Sequence, residues 1–249
     1  MTKTIVVVPT YNELENIPLM VDALLKQPVP GLEVLVVDDN SPDGTGRKVD
    51  ELVAAHPGRV HVIHRPGKMG LGTAYVQGFR WALDHGAEVI VQMDADFSHD
   101  PNDVPRLIAA LDHADAVIGS RYVKGGRLDE RWSFGRRFLS WWANRIWVGF
   151  ILNTPVRDNT GGFRAWKRQT LVGIGLDRIK SNGYIYQVEV TYIALRLGYH
   201  FAEVPIYFAD RKYGRSKMGP RVQMESALGV FQVRGRHRHL TCCDRVTEA

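Results

Sequence analysis

The 249-residue sequence predicts an α/β protein: a mostly parallel sheet with helices on both faces, followed by a C-terminal helical elaboration. Three observations carry this reading. Apolar runs of strand length alternate with helix-period segments through the first half; the strand–helix–strand unit repeats four times; and the rhythm changes near residue 121.

The apolar runs cover residues 4–8, 33–37, 60–64, 88–93 and 114–119. Between the first two, Leu14, Ile17, Val21, Leu24 and Leu25 share one helical face, with Pro18 early enough to sit in a first turn. Residues 45–55 and 73–85 read as the next two helices, and 101–111 as a fourth opened by Pro101. After about residue 121 come a basic, glycine-bearing stretch, a Trp-rich helix over 134–152, a loop at 158–162 and a helix over 188–197. A strand over 200–205, a basic loop and a final helix from about Arg221 complete the chain. No internal repeat or low-complexity linker appears. The expected organisation is one domain over 1–220 and a C-terminal helix and basic tail over 221–249.

Composition removes several classes. At 45% hydrophobic and 24% charged the chain is ordinarily globular, and its longest candidate for a bilayer span, 146–152, falls far short of the roughly 18 apolar residues required. The N-terminus runs directly into an apolar strand and a proline with no small-residue cleavage site, so a cytoplasmic start is expected. Cys242 and Cys243 are adjacent and fit neither a disulfide framework nor a zinc knuckle. The net charge of +5 conceals a split: residues 1–120 hold 9 basic and 17 acidic side chains, residues 121–249 hold 23 and 10. An acidic first half opposes nucleic-acid binding, which needs a continuous basic face.

In doubly wound sheets ligands sit at the carboxyl ends of strands, so chemistry is expected there. The first strand ends Val8-Pro9-Thr10-Tyr11-Asn12-Glu13, where Tyr11 offers a face for stacking and Asn12 equally suits a helix cap. The second ends Val37-Asp38-Asp39-Asn40-Ser41-Pro42-Asp43-Gly44, which serves either ligand binding or a tight turn. The fourth ends Met93-Asp94-Ala95-Asp96-Phe97-Ser98-His99. Carboxylates at i and i+2 of an extended chain point the same way and suit Mg²⁺ or Mn²⁺, which take oxygen ligands alongside substrate phosphates. With 17 aspartates an Asp-x-Asp arises about once by chance, so its place at a strand end carries the weight. Neither a G-x-G-x-x-G after the first strand nor a P-loop is present, against a dinucleotide dehydrogenase or an NTPase.

Taken in order, the first and second strand ends, Thr45, Gly70-Leu71-Gly72, Met93-Asp94-Ala95-Asp96, Gly119-Ser120-Arg121-Tyr122-Val123 with Gly125-Gly126, and the stretch from Arg211 to Lys217 resemble the family-2 glycosyltransferases of GT-A (Rossmann-like) fold. Within them the match is to the polyprenol-phosphate (dolichol-phosphate) mannose synthases, from residue 4 to about 220. The resemblance implies inverting transfer of mannose from GDP-mannose to a polyprenyl or dolichyl monophosphate, with Mg²⁺ or Mn²⁺. It assigns Pro9, Tyr11, Glu13, Val37 and Asp39 to the guanosine, and Asp94, Ala95 and Asp96 to ribose, diphosphate and metal. Arg121, Arg136, Arg211 and Lys217 fall to phosphates, and Asp94, Asp96 and Arg121 to catalysis. Some members carry Gln where this chain has Ser98, whose hydroxyl could ligand the metal weakly or hold a water of its shell.

Charge and mechanism then connect. Three phosphates cannot gather in one cleft without metal and Arg or Lys to offset them, and Arg121, directly after a buried strand, needs an anion. A phosphate monoester, with a second pKa of about 6, attacks as the dianion without a base, so no dedicated general base is expected. Asp158 is the rival for that role, with acceptor binding or capping of a following helix as its other readings. Residues 138–150 mix three Trp with Arg, a composition suited either to a membrane interface or to a core helix. Peripheral contact with the cytoplasmic face of a membrane is expected. The resemblance also implies a possible separate membrane-anchoring protein. The remaining alternatives are a polyprenyl-phosphate glucosyltransferase, another family-2 sugar transferase, and a noncatalytic sugar-nucleotide-binding module.

Overall fold

The computed structural model describes residues 2–210 and 220–248. Strands β1 (Thr4–Thr10), β2 (Leu32–Asp38), β3 (Val60–His64) and β4 (Val89–Gln92) alternate with helices α1 (Ile17–Leu25), α2 (Thr45–Ala55) and α3 (Leu71–Asp84). Helix α4 (Val104–Ala110) leads into β5 (Ala116–Ser120). Side chains alternate across β1 as the pleat requires. Val6 and Val8 pack on one face with Ile17, Met20 and Leu24 of α1 and Val104 and Leu107 of α4. Ile5 and Val7 pack on the other with Tyr75 and Phe79 of α3.

Helix α1 begins at Ile17, later than the apolar pattern suggests, and Leu14 is exposed. The cause is local: Asn12 takes a left-handed φ of 59°, and the Glu13 carbonyl accepts from the backbone N–H groups of Asn16 and Ile17. Asn12 therefore does not cap α1. The segment at 101–111 opens as a 3₁₀ turn, Pro101–Asp103, capped by the Asp100 carboxylate, before α4 takes over.

The sheet is not a simple continuation of the βα alternation. A short strand, where the sequence reading assigns no element, inserts antiparallel between β4 and β5; with the two-residue β6 (Arg127–Leu128) earlier in the chain, it is β7 (Arg164–Lys167). With β8 (Phe201–Pro205) the order is β3-β2-β1-β4-β7-β5-β8, and β6 pairs separately with β9 (Tyr207–Phe208). Four residues with a basic residue at each end carry no strand signature. Arg164 is nonetheless fully buried, its guanidinium donating to the Gly161 and Asn159 carbonyls, and burial lowers its pKa to about 10.

The Trp-rich helix is continuous but not uniform: α5 (Phe134–Trp142) and α6 (Gly149–Leu152) flank a π-helical stretch, Ala143–Val148. The stretch seats the buried Asn144, whose amide donates to the Ser140 carbonyl and Thr160 Oγ1 and accepts from the Thr160 N–H. Helix α7 (Arg168–Ile174) precedes α8 (Tyr186–Arg196), and α9 (Pro220–His237) lays Val230 and Val233 against Val188 and Tyr192 of α8 and Ile151 and Leu152 of α6. The basic tail is ordered structure: Arg234–His237 belongs to α9, and Arg245 donates to the Leu197 and Gly198 carbonyls. Among the described residues no helix is long and apolar enough to cross a membrane.

Helix α3 approaches the sheet closely because Gly78 has no side chain: a Cβ there would stand 2.4 Å from Val7 Cγ1 and 3.2 Å from Val37 Cγ2. Gly78→Ala should therefore overpack this layer and cost about 1–3 kcal/mol in denaturant unfolding.

Candidate functional site

The loops after β1 and β2 are laced together. The Asn12 N–H donates to Ser41 Oγ, Glu13 N–H to Thr45 Oγ1, and Leu14 N–H to the Asp43 carboxylate. This sorts the aspartates of the second strand end. Asp38 accepts from the Thr10 and Ser41 hydroxyls and the Ser41 N–H. Asp43 accepts from Thr45 and Leu14, and although burial pushes its pKa up, these bonds leave it below the usual aspartate value. Both are turn residues. Asp39 instead faces a cavity of ≈ 290 Å³, held by Arg65 Nη1 at 2.5 Å; burial raises its pKa against the attraction of that guanidinium.

Seven of the residues assigned to nucleotide share this cavity: Pro9, Tyr11, Glu13, Asp39, Asp94, Ala95 and Asp96. Lys68, Gly70, Leu71, Tyr184, Ile185 and Ser226 line the same cavity. Lys68 lies 4.6 Å over the Tyr11 ring. Sequence reading passed over Lys68 and Arg65; their signal is the third strand end, Arg65-Pro66-Gly67-Lys68, another loop on the same rim.

Asp94 and Asp96 follow β4 in a loop reversed by Phe97, at a φ of 61°. Tyr75 donates its hydroxyl to Asp94 Oδ1 at 3.2 Å, and the Ser98 N–H donates to Asp96 Oδ1 at 3.0 Å. Burial pushes the Tyr75 phenol well above its usual pKa, which keeps it a donor. The Asp94 N–H donates to Nδ1 of buried His99, which assigns the ring proton to Nε2; burial also lowers the His99 pKa, so the ring is neutral. His99 appears in the quoted motif without a role, and its place is to fix the Asp94 backbone. Among the described residues no group of three His, Cys, Asp or Glu could hold a metal. Two carboxylates on a cavity wall still fit Mg²⁺ or Mn²⁺, hard ions that complete their shell with water and phosphate oxygens. Ser98 is buried beside Asp96, with its backbone N–H and carbonyl both bonded.

Val37, Arg121, Arg136 and Asp158 are not among the described residues lining the cavity, and Arg211 and Lys217 lie outside the described residues. Val37 is buried in the layer under α3. Arg136 stacks on Trp132 at 3.4 Å and stands 3.9 Å from Asp210. Arg121 meets Asp158 through Nε at 2.7 Å and Nη2 at 2.6 Å, adds Thr160 Oγ1 at 2.9 Å, and donates its own N–H to Asp158. Burial works against the Arg121 charge, but Asp158 more than offsets it and the pKa rises. The anion that a buried Arg121 requires is thus Asp158, and Asp158 caps no helix, since β7 follows. Arg121→Met should leave Asp158 buried without its partner and cost about 3–5 kcal/mol in denaturant unfolding; a residue that served only to bind a ligand would leave stability unchanged.

This architecture has known relatives. A mannosyltransferase from Pyrobaculum calidifontis, solved with GDP-Man and Mn²⁺, superposes with a TM-score of 0.57 at 19% identity over 94% of this chain and 75% of that one. Glucosyl-3-phosphoglycerate synthase from Mycobacterium tuberculosis, solved with Mn²⁺, UDP and glucosyl-3-phosphoglycerate, superposes with a TM-score of 0.61 at 18% identity over 100% and 82%. At these identities the likeness shows the fold, which is of GT-A type. In sequence the chain is 46% identical over 228 residues to an undecaprenyl-phosphate mannosyltransferase from Micrococcus luteus, covering 92% of each. It is also 46% identical over 237 residues to a polyprenol monophosphomannose synthase from Mycolicibacterium smegmatis, covering 94% of this chain and 88% of that protein. Residues 5–173 match the family model for glycosyl transferase family 2, and the chain belongs to that family.

Proposed function

We propose that this chain transfers mannose from GDP-mannose to a polyprenyl monophosphate, with inversion at the anomeric carbon, releasing GDP. The observation that carries the reading is that Tyr11, Glu13 and Asp39 line one cavity together with Asp94-Ala95-Asp96; the names of the two relatives at 46% identity support the sugar and the acceptor. In this reading Tyr11 and Asp39 take the nucleoside, and Asp94 and Asp96 hold Mg²⁺ or Mn²⁺. That ion supplies charge neutralisation for the departing diphosphate. An acceptor phosphate oxygen forms the new bond to the anomeric carbon as the bond to the diphosphate oxygen breaks. The acceptor arrives as a dianion and carries no proton to remove. Asp158, committed to Arg121, has no part as a base, and Lys68, over the Tyr11 ring, stands at the nucleoside end of the cavity.

The acceptor's lipid calls for an apolar approach. Phe134 (84% exposed) and Phe150 (85% exposed) stand out from α5 and α6 with Phe138, Trp141 and Ile146, and Met224, Leu228 and Phe231 of α9 are also exposed. Trp147 joins the two helices, donating Nε1–H to the Ala227 carbonyl and meeting Phe231 edge-on. Exposed aromatics interspersed with Arg136, Arg137 and Arg145 suit an interface of acyl chains and anionic headgroups, which supports peripheral membrane association.

Incubating the purified protein with Mn²⁺ or Mg²⁺, polyprenyl phosphate in detergent, and either GDP-mannose or UDP-glucose tests the reading. Label should pass from GDP-mannose to the lipid phosphate and only with metal present. Transfer from UDP-glucose in place of GDP-mannose would favour a glucosyltransferase, and no transfer from either would overturn the proposal.

A further inference from the structure

Helix α9 ends on a buried acid for which the proposed chemistry has no use. Glu189 of α8 is fully buried. Its Oε2 accepts from the backbone N–H groups of Lys180 at 2.9 Å and Ser181 at 2.7 Å. Its Oε1 accepts from His237 Nε2 at 2.9 Å, with Arg236 Nη1 at 3.5 Å. One carboxylate therefore joins the end of α9 to the 180–181 loop, far upstream in the chain, and does so out of contact with water. Burial pushes its pKa up, yet the donors, His237 first among them, hold it below the usual glutamate value, so it stays charged.

The loop it holds is in backbone contact with the cavity wall. The Gly72 N–H donates to the Asn182 carbonyl at 2.8 Å. A Cβ on Gly70, whose φ is +101°, would stand 2.5 Å from that carbonyl oxygen, and one on Gly72 would stand 2.3 Å from the Ser181 oxygen. Two glycines are what allow the chains to meet. Both sides of the meeting belong to the cavity: Gly70 and Leu71 on one, and Gly183, Tyr184 and Ile185, which continue the held loop, on the other. Helix α9 returns to the same wall, since Ser226 lines the cavity and Gly229 packs on Ile185.

We propose that Glu189 is a positioning residue for the nucleotide cavity. By binding His237 and the 180–181 amides through one carboxylate, it ties the C-terminal helix to the wall made by residues 70–71 and 183–185, so loosening the tie weakens nucleotide binding at a distance. The inference rests on the reading of this cavity as a sugar-nucleotide site.

The test compares the wild-type full chain with His237→Leu, which removes the donor, and His237→Gln, which retains an N–H donor. Hydrogen exchange on the ligand-free protein reads the wall directly. In His237→Leu the amides of 180–185 should exchange several-fold faster with β1 and β4 unchanged, and His237→Gln should resemble wild type. Titration with GDP and with UDP, each with Mn²⁺, should show binding about 3- to 30-fold weaker in His237→Leu for whichever nucleotide the wild type takes, and restored in His237→Gln. If His237→Leu does not fold, His237→Ala, which also lacks the donor, is read in the same way. Unchanged exchange at 180–185, or faster exchange spread evenly over the whole chain, would overturn the proposal, as would unchanged nucleotide affinity. Should the wild type prefer UDP to GDP, the choice of donor falls while the exchange result still decides the role of Glu189.

Discussion

The register of β1 between β2 and β4 is the constraint on which the rest of the molecule depends. Thr10 lies opposite Asp38, and Val7 lies opposite Gln92, so the loops that leave all three strands emerge on one rim. A slip of one residue would turn Val6 and Val8 to the face now occupied by Ile5 and Val7, exchanging every core contact of the strand. Burial on both faces makes that slip prohibitive. The positions of Tyr11, Asp39 and Asp94 relative to one another are therefore consequences of hydrophobic packing well below the rim, and the hydrogen bonds between loops refine what the register dictates.

The charge division looks different once partners are known. Several basic residues of the second half are committed to the chain itself: Arg121 to Asp158, Arg131 to Asp129, Arg164 and Arg245 to backbone carbonyls. The buried guanidinium groups of Arg121 and Arg164 satisfy a carboxylate and carbonyls that would otherwise be stranded. On the acidic side, Asp38 and Asp43 are similarly occupied with turns, which leaves Asp39, Asp94 and Asp96 at the cavity. Counting charges by halves overstates both the acid and the base available to a ligand.

Legibility in the sequence followed the length and regularity of each pattern. The helix at 45–55 and the strand at 60–64 match the structure residue for residue, because a full amphipathic period and a short β-branched run, Val60, Val62 and Ile63, leave little choice. Strand β7 was not legible: four residues bounded by Arg164 and Lys167 look like loop, and only the unpaired edges of β4 and β5 call for them. At the site, the three acid-bearing strand ends were visible as motifs. The difference between Asp38 and Asp39 was not, since adjacent residues point opposite ways and only the Thr10 and Ser41 hydroxyls reveal which one is the turn residue. Tyr75 and His99, which hold Asp94, act across 19 and 5 residues, and neither carries a spacing that announces it.

The central claim is that Asp94 and Asp96 form the metal and diphosphate end of a nucleotide site whose other end is Tyr11 and Asp39. A crystal structure grown with Mn²⁺ and GDP-mannose, with anomalous scattering recorded at the manganese edge, tests it most directly. One strong manganese peak is expected within coordination distance of the Asp94 or Asp96 carboxylates, with the nucleoside beside Tyr11. A peak bound elsewhere, or a nucleotide seated outside this cavity, would contradict it.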